Sequence, residues 1–144
     1  MLDDYRAQLE CMHQCFLTCP DPHAREEGRG WSVKEILGHL LDSVSNNHQR
    51  LLRYVPGSTL QFPGYDQRQF VARAHYDAFD YQQLLTLWYL HNLLLLHIFA
   101  HIPVEDTVSC IQVEDRQAIT LSQLIADYFT HMEKHEQQLK RIVS

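Results

Sequence analysis

Apolar side chains recur at steps of three and four residues over four long stretches of this sequence. The stretches cover residues 2–19, 31–54, 81–102 and 120–142. This spacing is the period of an α-helix that buries one face and exposes the other. Such a helix must cover its apolar face with other elements, so four of them in one chain predict an all-α protein that folds as a four-helix bundle.

The borders of these predicted helices, numbered 1 to 4 along the chain, carry recognisable start and stop signals. Ser32 with Glu35 three residues later is a capping box, in which the two residues satisfy backbone N–H groups at the start of helix 2. Pro56 ends helix 2 and Pro103 ends helix 3, because proline lacks the N–H group that would continue the helix. Residues 20–30 contain prolines and glycines and are interpreted as a loop.

The segment between helices 2 and 3, residues 56–80, is unusually long for a loop in a compact domain. Within it, residues 66–75 could form a short helix. An extended segment of this length can span a bundle about 35 Å long, which favours an up-down-down-up order of the helices with this segment as the crossover. Between helices 3 and 4, residues 108–113 and 117–120 could pair as a small hairpin.

The composition fits one globular domain that comprises residues 1–144. Apolar residues make up 45% and charged residues 21%, and the length suffices for a single hydrophobic core. The formal net charge is −6 and the basic residues are scattered, which argues against nucleic acid as a partner. The longest apolar run, residues 93–100, is much shorter than the roughly 20 residues that a membrane span needs, so we expect no membrane span.

The cysteines and the first residues favour a cytoplasmic location. Cys11, Cys15 and Cys19 lie four residues apart on one side of helix 1, where they cannot form a spaced disulfide framework. Residues 1–4 differ from the basic and then apolar start of a secretory signal. We therefore expect a reducing compartment, in which these cysteines behave as small apolar side chains.

Ten of the residues are histidines, and two of them occupy inward positions of helix 4. His131 and His135 lie one helical turn apart, on the same face as Leu124 and Tyr128. This spacing lets two imidazoles reach one metal ion. Alternatively, the two rings could be hydrogen-bonded and metal-free at a solvated end of the bundle.

His39 in helix 2 is the candidate third ligand. If helices 2 and 4 are antiparallel, His39 comes to nearly the same level as His135. Ser43, Asn47 and Arg50 continue its side of the helix as a polar line. That line could be a solvated edge of the helix, or it could be the wall of a pocket that runs down the bundle from the metal.

His91 lies on the inward stripe of helix 3 and is a further candidate for the pocket lining. It could be a fourth ligand, a proton-transfer group near the metal, or a hydrogen-bonded histidine of the core. His97 and His101 form another pair one turn apart, but they lie near a helix end, where positive charge suits the helix dipole. We interpret those two as surface residues.

Two motifs together resemble the DinB/YfiT-like superfamily over nearly the whole chain. One is residues 31–40 (WSVKEILGHL), and the other is residues 120–122 (TLS) leading to residues 131–135 (HMEKH). Residues 63–66 (PGYD) are similar to part of the superfamily's crossover. The resemblance implies an up-down-down-up bundle, often a homodimer, with a nickel or zinc ion held by His39, His131 and His135. It also implies small-molecule chemistry, since relatives include transferases and isomerases that use low-molecular-weight thiols.

Three histidine ligands indicate an open metal site. Neutral imidazoles suit one divalent ion of zinc, nickel or iron, and three of them leave at least one position for water or substrate. The leading hypothesis is a metal-dependent enzyme, a thiol S-transferase or a hydrolase, in which the metal activates a thiol or water toward a small-molecule substrate. No catalytic residue is assigned. The alternatives are a non-catalytic metal-binding stress-response protein and a partner-binding bundle without metal.

Overall fold

The computed structural model describes residues 1–143. Its helices are α1 (Leu2–Leu17), α2 (Val33–Arg53), α3 (Gln67–Ala74), α4 (Tyr81–Ala100) and α5 (Leu121–Val143). Its strands, all short, are β1 (Arg25–Glu26), β2 (Arg29–Ser32), β3 (Thr59–Phe62), β4 (Cys110–Val113) and β5 (Ile119–Thr120). The predicted helices 1 to 4 correspond to α1, α2, α4 and α5, and the short helix expected in the crossover is α3.

The four long helices share one apolar core. Trp88 of α4 is fully buried and packs edge-to-face against Phe16 of α1, with ring centroids 5.4 Å apart. Phe129 of α5 and Leu37 and Leu51 of α2 are buried in the same core. Burying a side chain of this size is worth about 1.5–3 kcal/mol, so the apolar faces of the four helices hold the fold together. The predicted all-α, four-helix bundle is confirmed.

The start of α2 lies near the end of α5, and the end of α2 lies near the start of α5. Just before the start of α2, Glu26 accepts a hydrogen bond from Arg141 in the last turn of α5, at 2.8 Å. Toward the other end of α2, Asn47 and Arg50 line the same cavity as Leu124 in the first turn of α5. These contacts are those of antiparallel neighbours. The complete up-down-down-up order, with residues 56–80 as the crossover, stays a prediction.

Helix α4 is more apolar than its longest uninterrupted apolar run indicates. By length and composition alone it could cross a membrane, with a mean hydropathy of 1.3 over its most apolar window. In the structure one face of it packs in the core, where Leu84, Trp88 and Leu95 are fully buried, and 33% of its most apolar window is buried. Core helices commonly reach this hydropathy, so a single such helix is weak evidence for a membrane span.

The start of α2 is fixed by the predicted capping box. Ser32 Oγ accepts a hydrogen bond from the backbone N–H of Glu35 at 3.1 Å, and Glu35 Oε1 accepts one from the backbone N–H of Ser32, also at 3.1 Å. Both bonds satisfy N–H groups that lack partners within the helix. The cap therefore sets where His39 falls, nearly two turns into α2.

The short strands correct two predictions about loops. Residues 20–30 were expected to be a loop, but they contain β1 and the start of β2, which form an antiparallel hairpin. In the crossover, β3 pairs in parallel with β4, from Thr59 opposite Cys110 to Phe62 opposite Val113. The predicted hairpin of β4 with β5 is confirmed. The pairing of β3 was missed because its partner lies about 50 residues further along the chain, beyond the range of any local pattern.

The crossover approaches α2 closely at Gly38. A Cβ atom at this position would overlap the ring of Tyr76, which follows α3. The Tyr76 hydroxyl also donates a hydrogen bond to Asp42, one turn further along α2. Gly38 therefore allows the crossover to lie against α2 directly beside His39.

We expect Gly38→Ala to lower the free energy of unfolding by about 1–3 kcal/mol, because overpacking at a close contact outweighs the gain in helix propensity. Chemical denaturation of both proteins measures this difference. Ser45→Ala, at an exposed position of the same helix, is the control and should change stability by less than about 0.5 kcal/mol. If Gly38→Ala is as stable as the wild type, the close contact with Tyr76 is contradicted.

Candidate metal centre

Three histidines from two helices converge inside the bundle. His39 comes from α2, and His131 and His135 come from α5. One ring nitrogen of each lies within 4.8 Å of one ring nitrogen of each of the others. The ring of His39 has its centroid 5.6 Å from that of His131 and 5.0 Å from that of His135. Within residues 1–143, these side chains form the one cluster of three or more histidine, cysteine or acidic residues close enough to hold a metal ion.

The two histidines of α5 face each other through their Nε2 atoms, which lie 3.3 Å apart. His135 Nδ1 is 3.1 Å from the side-chain oxygen of Gln138, so Nδ1 carries the proton and Nε2 presents its lone pair. Two nitrogens bound tetrahedrally to zinc at 2.0–2.1 Å lie about 3.3–3.4 Å apart. The spacing of the two Nε2 atoms therefore fits a shared metal ion, and it also fits a direct hydrogen bond.

His39 distinguishes between these two explanations. It is 1% exposed, and neither of its ring nitrogens has a hydrogen-bond partner. The Trp31 ring lies on one side of it, with centroids 4.8 Å apart. A buried polar atom without a partner costs about 1–3 kcal/mol. A metal ion between the three rings would remove this penalty for one nitrogen, whereas a hydrogen bond between His131 and His135 leaves both nitrogens of His39 unsatisfied.

Burial keeps the three imidazoles in the neutral form that binds metals. Burial, with smaller effects from His135 and His131, lowers the pKa of His39 to about 3. Burial and the neighbouring His131 lower the pKa of His135 to about 4, although Gln138 acts in the opposite direction. Burial, followed by the charge of Lys134, also lowers the pKa of His131. At pH 7 the lone pairs are therefore available without the loss of a proton.

In the metal-free protein, we expect the free energy of unfolding to fall as the pH is lowered from 7 to 4. The pKa of His39 is lowered in the folded state, so the unfolded chain takes up a proton near pH 6.5 that the folded chain refuses until about pH 3. The stabilisation is complete above pH 6.5 and is lost on acidification, by an amount on the order of a few kcal/mol. Urea denaturation of chelator-treated protein at several pH values measures it.

The matched variants for this experiment are His39→Gln and Ser45→Ala. His39→Gln should reduce the pH dependence of the free energy of unfolding, because glutamine does not titrate, and the part that remains comes from His131 and His135, whose pKa values burial also lowers. Ser45 is exposed on the same helix and does not titrate, so its replacement should leave the slope unchanged. An equal slope in the wild type and His39→Gln would contradict the assigned role of His39 burial.

A cavity of about 390 Å³ opens beside the histidine cluster. The three predicted pocket residues of α2, Ser43, Asn47 and Arg50, line one wall. The other walls include Leu124, Tyr128 and His131 of α5, Tyr65 of the crossover, and Arg116 in the turn between β4 and β5. This volume lies in the range of small-molecule sites. Sequence reasoning missed the crossover and hairpin residues, because nothing local indicates where a loop folds back.

His91 lies apart from this cavity. Its Nε2 is 2.9 Å from Nδ1 of His48 on α2, and the residues that line the cavity do not include it. This contact matches the alternative in which His91 is a hydrogen-bonded histidine. Nothing in the structure supports His91 as a fourth metal ligand or as a residue of the pocket wall. His97 and His101 are exposed, as expected, with ring centroids 4.4 Å apart.

Two acidic residues close in sequence to the α5 histidines, Glu136 and Asp127, make no hydrogen bond to an imidazole among the described residues. Glu136 accepts a hydrogen bond from the Cys11 thiol at 3.3 Å and pairs with Lys140 at 3.0 Å. Asp127 is exposed at the cavity wall. The residue that orients an imidazole is Gln138, and its spacing of three residues from His135 could have indicated this.

Fold and site together define a four-helix bundle in which two helices supply a three-histidine candidate metal centre beside a small-molecule cavity. No family model matches the sequence, and no curated protein matches it. Among solved structures, YfiT from Bacillus subtilis matches with a TM-score of 0.80 and 18% identity, over 98% of this chain and 85% of YfiT. Its structure is described as that of "a probable metal-dependent hydrolase with an unusual four-helix bundle topology".

A second solved structure with the same fold is the mycothiol-dependent maleylpyruvate isomerase. It matches with a TM-score of 0.67 and 10% identity, over 96% of this chain but only 60% of its own length. A histidine-to-alanine mutant of the same isomerase gives the same values. Both structures are less than 25% identical to this chain, so they confirm the four-helix fold that the resemblance in the sequence implies.

Proposed function

We propose that this protein binds one divalent metal ion through His39, His131 and His135 and uses it to activate water or a low-molecular-weight thiol. The observation that carries the proposal is the pair of unpartnered nitrogens on the buried ring of His39, in a ring cluster with His131 and His135. Three imidazole ligands suit zinc, nickel or iron.

When bound, such an ion would supply a free coordination position and lower the pKa of a water or thiol held there. The chain's own residues then bind and orient the substrate. His131 belongs both to the cluster and to the cavity wall, so a molecule in the cavity lies next to the cluster. Tyr128 is held in place by a hydrogen bond from its hydroxyl to Asn92 at 2.5 Å, and Ser43 and Asn47 offer polar groups from α2.

The comparisons support two classes of nucleophile. YfiT is described as a probable hydrolase, which uses water, and the isomerase depends on a thiol, mycothiol. We therefore propose a hydrolase or a thiol S-transferase that acts on a small molecule. A soluble cytoplasmic location and a homodimer are proposals of the same kind, and they are tested by fractionation and by the mass of the protein in solution.

The test is a substrate screen with protein purified without an affinity tag. Low-molecular-weight thiols are offered with small electrophiles, and esters and amides are offered with water. We expect turnover that a chelator abolishes and that added metal restores, together with no turnover in His135→Ala. Rates that are equal in metal-loaded protein, chelator-treated protein and His135→Ala would contradict an enzymatic role of the metal.

The second candidate is a non-catalytic metal-binding protein of stress response, in which the ion ties α2 to α5. The observation that favours it is that the ligands come from two different helices. It predicts metal-dependent stability without turnover. The cavity that reaches His131 favours the enzyme, because a purely structural site needs no space for a substrate.

A further inference from the structure

Arg50 has an unsatisfied side chain in the cavity wall. It is half-buried on α2, and its Nε atom is buried without a hydrogen-bond partner. Its guanidinium lies 5.2 Å from the centroid of the Phe62 ring, a contact that stabilises the cation but satisfies no N–H group. Burying a charge without a counter-ion costs several kcal/mol, so an unpaired arginine at a cavity needs an explanation.

A second arginine lines the same cavity from a different part of the chain. Arg116 lies in the turn between β4 and β5, where its backbone N–H is fixed by the carbonyl of Val113 at 3.1 Å. Burial lowers the pKa of Arg50, and the positive charge of Arg116 lowers it further, against the opposite effect of Tyr65. Two like charges that line one cavity repel each other, and an anion bound near both would offset that repulsion.

The acidic residues of the cavity do not neutralise these arginines. Glu114 accepts a hydrogen bond from the backbone N–H of Gly64 at 3.1 Å, and Asp127 is exposed. Within residues 1–143, no ion pair joins either of these carboxylates to Arg50 or Arg116. The protein therefore leaves two cationic groups at the cavity without an anionic partner of its own.

We propose that Arg50 and Arg116 bind an anionic oxygen group, a carboxylate or a phosphate, of the molecule that occupies the cavity. A guanidinium matches the geometry of such groups because it can donate two parallel N–H bonds. The proposal rests on the proposed function in treating this cavity as the substrate site.

The proposed anion-binding residue Arg50 and the proposed metal ligand His39 lie at different levels of α2. Arg50 lies eleven residues beyond His39 on α2, which is about three turns of helix. Ser43 and Asn47 lie on the intervening turns and line the same wall. The substrate is therefore a molecule that carries its anionic group at one end and its reacting group at the other.

The experiment is isothermal titration with three small probes: succinate, inorganic phosphate and succinamide, which has the size of succinate but no charge. We expect saturable binding of succinate or phosphate and none of succinamide. Arg50→Gln and Arg116→Gln should each weaken the binding roughly ten- to hundredfold, as expected for the loss of hydrogen bonds to a charged group. Binding of succinate alone assigns a carboxylate, and binding of phosphate alone assigns a phosphoryl group.

The matched control is Arg53→Gln. Arg53 lies one turn from Arg50 on the same helix, is exposed, and donates a hydrogen bond to Gln49 at 3.1 Å. The Arg53→Gln variant should bind succinate or phosphate as tightly as the wild type does. Arg116 is exposed in a turn, so its replacement tests the site even if Arg50→Gln folds poorly.

Absence of saturable anion binding to the wild type would overturn the proposal. Equal binding of succinate and succinamide, unchanged binding in Arg116→Gln, or an equal loss in Arg53→Gln would also overturn it. The titrations are repeated with chelator-treated protein and with His135→Ala. Anion binding that persists in these samples supports the arginine site even if the metal proposal fails, so the two failures are distinguishable.

Discussion

Replacing His39 with alanine is expected to reduce the bound divalent metal from one ion per chain to a trace. His39 is the one candidate ligand that α2 contributes to the cluster among the described residues, and without it only the two histidines of α5 would remain. Loss of an outer-shell partner alone commonly weakens metal binding by about 10- to 100-fold, so loss of a direct ligand should cost more. His131→Ala and His135→Ala should give the same result. Elemental analysis of untagged protein and titration with zinc and nickel measure the effect.

A matched control for this prediction lies elsewhere in the same chain. His97 and His101 are also four residues apart, with ring centroids 4.4 Å apart, but both are exposed, at the end of α4 and directly after it. The double variant His97→Ala, His101→Ala should keep one ion per chain. If His39→Ala keeps the metal and the double variant loses it, the ion binds at His97 and His101, and the prediction is contradicted.

The second large effect is expected in the stability of the folded chain. Metal at about 1,000 times its dissociation constant should raise the free energy of unfolding by about 4 kcal/mol, because the ion binds the folded state and not the unfolded one. Structurally, the ion would join α2 to α5 and satisfy a buried nitrogen of His39. Thermal and chemical denaturation, with metal and with a chelator, measure the difference.

The variant His135→Ala separates this effect from any general effect of metal or chelator. It lacks one proposed ligand, so its stability should be the same with metal and with chelator. If metal stabilises His135→Ala as strongly as the wild type, the ion stabilises the fold from another site. If metal leaves the wild type unchanged, the bundle does not bind the ion in its folded state.

The features that could be predicted from the sequence are those that depend on local periodicity. The stripes of α2 and α5, the capping box at Ser32 and the inward positions of His131 and His135 all follow from a repeat of 3.6 residues. Because the cap fixes the start of α2, the position of His39 along that helix was also predictable. The convergence of the three rings then required that the two helices be antiparallel neighbours.

The features that were missed depend on pairings between distant parts of the chain. Strand β3 is only four residues long, and it exists because β4 lies beside it. Tyr65 and Arg116 line the cavity because the crossover and the β4–β5 turn fold over it, and no periodicity describes such turns. His91 lies on an inward stripe as predicted, but its partner His48 is 43 residues away on another helix. A stripe identifies which side chains point inward, whereas tertiary packing decides what they meet.

Anomalous diffraction at the absorption edge of the bound metal tests the central claim most directly. We expect one peak per chain between the rings of His39, His131 and His135, with ligand distances of about 2.0–2.2 Å and at least one position occupied by a non-protein ligand. A peak at the exposed pair His97 and His101, or a site closed by a fourth protein side chain, would contradict an open three-histidine centre.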